Sequence, residues 1–86
     1  MKIQIDYYKM IGNKSMGDGN TIPQNQELIL IKKEEDGLLF LETHKKDYKM
    51  LFWARESEVE FVQTVEEDWD EEKINQRNRY INGEFI

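Results

Sequence analysis

The densest chemical functionality in this chain is acidic. Glu66-Glu67-Asp68-Trp69-Asp70-Glu71-Glu72 holds six carboxylates in seven positions around one tryptophan, and Glu56, Glu58 and Glu60 stand just upstream. Carboxylates at this density can begin a helix, hold a hard cation, work as an acid–base pair or meet a basic partner. The run lacks the Asp-x-Asp-x-Asp-Gly spacing of a calcium loop. Acid–base work needs a pocket that brings two groups to one substrate, and nothing in the spacing supplies one. If residues 66–72 were all helical they would extend about 10.5 Å at ~1.5 Å per residue. That is one charge per about 1.75 Å, close to the ~1.7 Å of duplex DNA. Two readings follow, a solvated helix start that suits the helix dipole, or an acidic, DNA-mimicking contact surface. Trp69 either anchors the helix on the rest of the domain or stands exposed as an aromatic hot spot. The surface reading takes Glu56, Glu58, Glu60, Glu66, Glu67, Asp68, Trp69, Asp70, Glu71 and Glu72 as partner-binding residues.

The basic counterpart is Lys32, Lys33, Lys45, Lys46 and Lys49, with His44 beside them. These form an alternative face for nucleic acid, diluted by Glu34, Glu35 and Asp36. Other chemistry fails on spacing. Gly12-Asn13-Lys14-Ser15 ends like a phosphate loop, but Asn13 and Tyr8 stand where that loop needs glycine. A zinc site needs several His or Cys, and the chain has one histidine and no cysteine. Ser15 or Ser57 with His44 lacks a Gly-x-Ser-x-Gly elbow. The expectation is no enzyme, with no catalytic, cofactor-binding or metal residues.

Charge divides sharply along the chain. The net charge is −6 over 86 residues, from 12 basic and 18 acidic side chains. Residues 1–55 carry nine basic and eight acidic residues, whereas residues 56–86 carry three and ten. The acidic third argues against gripping a phosphate backbone, since that affinity rests on Lys and Arg. The length fits one domain. Its apolar runs fall far short of the roughly 20 residues that span a bilayer, and its start has no apolar signal segment. A cytoplasmic protein without membrane contact is expected.

Period-two alternation through Ile3, Ile5 and Tyr7 predicts a first strand. Gly12 opens a long polar loop over residues 12–26, and Pro23 forbids a central strand there. Residues 27–33 form a second strand, apolar on both sides at its centre and therefore interior. Asp36-Gly37 marks a hairpin, residues 38–43 a third strand, 44–47 a turn and 48–54 an aromatic fourth strand. Arg55-Glu56-Ser57 leaves room for one 3₁₀ turn before a fifth strand over 58–62. Asp68 is the expected N-cap of a helix over about 69–82, with Gly83 placed to end it.

This order, with Gly12-Asn13, the strand over 27–33, Leu51-Phe52-Trp53 and Ser57-Glu58-Val59-Glu60-Phe61-Val62, resembles the small SH3-like β-barrel proteins of bacteriophages and their hosts. The resemblance covers residues 2–62. It implies a mainly β domain, a five-stranded barrel whose interior is filled by its own side chains. Residues 63–86 would then be an acidic extension, one α-helix packed on the same domain. Tyr7, Tyr8, Phe52 and Trp53 read as core or wall residues rather than a Pro-rich peptide site. The resemblance and the acidic extension together imply a phage- or mobile-element-encoded binding protein. Such a protein would inhibit or redirect a host protein with a basic surface, such as a nucleic-acid enzyme or a defence protein. The alternatives are the nucleic-acid-binding barrel and an assembly module, including a homodimer through a sheet edge.

Overall fold

The computed structural model describes residues 1–17, 19, 21–42 and 51–84. Strand β1 is Lys2–Met10, followed by the short β2 (Lys14–Ser15) and β3 (Thr21–Ile22). Next come β4 (Glu27–Glu34), β5 (Gly37–Glu42), β6 (Leu51–Ala54), a 3₁₀ turn at Glu56–Glu58, β7 (Val59–Asp68) and helix α1 (Glu71–Ile81). The expected turn at 44–47, the first residues of the fourth strand, His44, Lys45, Lys46 and Lys49 lie outside the described residues.

The protein is mainly β. Five strands make one antiparallel sheet in the order β6-β5-β4-β1-β7, and β2 and β3 pair as a separate ribbon. Among the described residues β6 and β7 pair only with β5 and β1, so both edges of the sheet are open.

The interior place expected for 27–33 is what β4 occupies. Alternation sends successive side chains to opposite faces of a sheet. Leu28 therefore joins Met10, Ile22, Leu38, Phe40, Phe52, Ala54 and Val59 on one face, with Ile22 reaching in from the ribbon. Ile29 and Ile31 join Ile5, Leu39 and Trp69 on the other, where Ile74, Tyr80 and Ile81 of α1 pack against them. One face is thus covered by Met16 and Ile22 from the connection after β1, and the other by the helix. Glu34 pairs with Gly37 across the turn residues Glu35 and Asp36. A Cβ at Gly37 would lie 3.2 Å from the Ala54 carbonyl oxygen, so a residue without one lets β6 approach.

The C-terminal part differs from the sequence expectation in three ways. The last strand does not stop at residue 62 but runs to Asp68, because β1 supplies partners back to Lys2, opposite Asp68. The acidic run is therefore strand at 66–68 and helix only from Glu71. Asp68 is not the N-cap; Asp70 is, and its side chain accepts a 2.8 Å bond from the Lys73 amide. At the other end Gly83 does close the helix. Its φ of 84° suits glycine, its amide donates to Tyr80 and the Glu84 amide to Arg79, the paired bonds of a Schellman end. Lys32 of β4 adds a 3.2 Å bond to the Ile81 carbonyl, tying the helix end to the sheet. No helix among the described residues is long and apolar enough to cross a membrane.

Candidate functional site

The acidic candidates divide between groups already engaged within the fold and groups turned to solvent. Glu56 pairs with Lys33 at 2.6 Å, and that ammonium holds its carboxyl below the usual range. Glu58 accepts a 2.8 Å bond from the Arg55 amide and a 2.9 Å bond from the Lys14 ammonium. These bonds, the amide's first, lower its pKa and tie the β2–β3 ribbon to the 3₁₀ turn.

Glu67 is the most committed of the set. It is half-buried on the helix side, where Oε2 accepts from the Tyr7 hydroxyl and Oε1 accepts from the Trp69 indole at 3.0 Å. The indole bond first and the phenol bond second hold its carboxyl below the usual range. Burial first, then Glu67, pushes the Tyr7 phenol well up. Trp69 itself is 3% exposed, and the Lys73 ammonium sits 4.1 Å above its ring. Its place among the contact residues is corrected here: it anchors α1 to the sheet and offers no surface.

What remains outward is an acidic group from Glu66 to Glu72, with Glu60 set apart beyond the bulge on the opposite face of β7. Glu60 is exposed, 3.5 Å from Lys9 across the strand pair. Glu66, Glu71 and Glu72 are exposed with no hydrogen bond or ion pair to a described residue. Asp68 is exposed and accepts from the N-terminal amine at 2.6 Å. Asp70 is exposed but holds the helix cap. The charge spacing of a fully helical run is corrected too. Extended residues rise about 3.4 Å each and alternate faces, so Glu66 and Asp68 share a face while Glu67 turns to the other.

The backbone of this edge is as distinctive as its charge. Met1 and Trp69 exchange two bonds, with the Trp69 amide on the Met1 carbonyl at 2.9 Å and the Met1 amine on the Trp69 carbonyl at 3.1 Å. Antiparallel partners alternate between bonded and non-bonded pairs. Counting from that pair, Glu67, Val65 and Gln63 bond to β1, while Thr64, Glu66 and Asp68 turn their N–H and C=O outward. A bulge at Tyr7/Tyr8 leaves Val62 without an opposite residue. Beside it Phe61 and Val62 are 51% and 49% exposed, with Phe61 edge-on to Tyr8.

The alternative basic face is weakened where it can be seen. Lys32 is paired with Glu34 at 2.9 Å and lies over Trp53, and Lys33 is paired with Glu56. Both charges are compensated by neighbouring carboxylates. Among the described residues no three His, Cys, Asp or Glu side chains converge to hold a metal. Comparison with protein-family models, with curated proteins and with solved structures gives no match.

Sequence reasoning missed the Tyr7–Glu67–Trp69 cluster and the outward backbone of β7. Glu67 and Trp69 are two apart, which in a strand puts them on one face. That signal becomes visible only once residues 66–69 are taken as extended.

Proposed function

We propose that this chain is a non-enzymatic protein-binding module that docks on a basic surface of its partner through the acidic edge from Glu66 to Glu72. One observation carries the reading. The exposed carboxylates Glu66 and Asp68 lie on one face of an edge strand and lead directly into Glu71 and Glu72 on the first turn of α1. Such a field steers a cationic partner and speeds encounter, and salt weakens it. The strand order, the long connection over 12–26 and the 3₁₀ turn before the last strand support an SH3-like barrel. The resemblance to phage-type proteins of that kind supports a chain of phage or mobile-element origin that occupies a host protein, inhibiting or redirecting it. Glu56, Glu58, Glu67 and Trp69 serve the fold, so the contact set is narrower than the acidic count suggests.

The test is charge reversal where no internal bond is lost. The triple variant Glu66→Lys, Glu71→Lys, Glu72→Lys and the unaltered protein are used to capture partners from host lysate at low and high salt. A partner retained at low salt should be released by salt and lost by the variant. The same partner held at the same affinity by the variant would sink the acidic-surface reading.

A further inference from the structure

We propose that β7 receives an extended basic segment of the partner as an additional strand of the sheet. This rests on the acidic-edge reading and deepens it by naming the form of the ligand. Thr64, Glu66 and Asp68 direct their N–H and C=O groups away from β1. A strand laid along the edge satisfies these groups, and main-chain bonds then supply affinity while side chains supply selection.

The side chains select for charge. Glu66 and Asp68 stand on the same face of β7, about 6.8 Å apart at ~3.4 Å per residue. A ligand with lysine or arginine at alternate positions places a cation opposite each, and opposite charges facing across a strand pair are favourable. Phe61 and Val62, about half exposed at 51% and 49%, stand at the bulge where regular pairing ends. They offer an apolar contact to the end of the segment.

The same charges exclude a second copy of this chain. Antiparallel two-fold pairing about Thr64 would have to run through the bulge at Val62, where regular pairing ends. Pairing about Glu66 sets that residue opposite itself. Like charges directly opposite are destabilising, so the edge that repels its own copy accepts a basic strand.

Fluorescence anisotropy with a short labelled peptide of alternating lysine and valine, and with its fully N-methylated twin, tests this. The twin keeps every side chain and charge but has no backbone N–H to donate. At low salt the twin should bind at least tenfold more weakly. Hydrogen exchange at the Thr64, Glu66 and Asp68 amides should slow with the parent peptide alone. Equal binding of the two peptides overturns strand addition and leaves the acidic-edge reading standing. If neither binds, both ideas fall. Slowed exchange at these amides in concentrated protein without peptide makes a second copy the occupant and overturns the assignment to a basic segment. Thr64→Pro removes an outward N–H without removing a ladder bond, a placement edge strands tolerate. It should weaken the parent peptide at least fivefold, and a folded variant of unchanged affinity counts against the proposal.

Discussion

At the residue scale, Glu67 shows how little a dense charge run reveals about its members. It is one carboxylate among six in the run, yet it alone accepts from both a phenol and an indole. Hydrogen bonds to a charged group contribute about 1.5–3 kcal/mol each, so Glu67→Gln should cost about 2 kcal/mol at neutral pH. The dependence on pH has a definite sign. The folded pKa lies below the unfolded value of about 4.3. The contribution is therefore complete above that value and is lost as pH falls through the lower folded pKa. Urea unfolding at a series of pH values should show wild type and variant converging in acid. A constant difference down to pH 3 would mean that the charge on Glu67 is not what matters. Tyr7 acts at the opposite end of the scale. Its pKa is raised, so its contribution is full below about 10 and disappears as pH rises through the folded value.

At the element scale, helix α1 depends on what lies beneath it. It has 11 residues, and isolated helices shorter than about 12–15 are marginal in water. Its apolar contacts are Ile74, Tyr80 and Ile81, with Trp69 immediately before it. Trp69→Ala should cost about 3–5 kcal/mol. That is a large share of the total for a domain of this size, at roughly 0.05–0.15 kcal/mol per residue. Far-ultraviolet circular dichroism should lose helical signal in the variant before the sheet melts. A variant with full helical signal and wild-type stability would show that Trp69 is not the anchor. Strands β4 and β5 were legible because continuous apolar residues mark a strand covered on both faces. The extent of β7 was not. Phe61 and Val62 are adjacent apolar residues at a bulge, and the bulge breaks the alternation that identifies a strand. The pairing that carries β7 to Asp68 comes from Met1 and Lys2, more than sixty residues away in sequence. Asp68 and Asp70 are equally good caps by residue type, and only the end of that pairing decides between them. The β2–β3 ribbon escaped for a different reason, since two-residue strands leave no period to read.

At the scale of the whole molecule, the acidic edge should act on stability and on binding in opposite directions. Ten acidic and three basic residues fill positions 56–86. Two like charges ~7 Å apart in water repel by about 0.6 kcal/mol, and Glu66, Asp68, Glu71 and Glu72 crowd one end of the domain. Against this stand the ion pairs Lys9–Glu60, Lys33–Glu56 and Lys14–Glu58, together with the N-terminal amine on Asp68. The first two are exposed, and solvent screening leaves such pairs weak. The third is partly buried and only weakly screened. Repulsion is therefore the larger salt-sensitive contribution. Sodium chloride from about 0.02 to 0.5 M, over which the Debye length shrinks from roughly 20 to 4 Å, should raise the melting midpoint of the free protein. The same salt should weaken its hold on a basic peptide. Glu66→Lys should imitate both effects without salt, holding or raising the midpoint while reducing affinity, because this carboxylate has no bond to a described residue. Thermal melts and anisotropy titrations on the two proteins separate the cases. A midpoint that falls with salt would show that the ion pairs outweigh the repulsion, and Glu66 would then have to be sought among groups that hold the fold together.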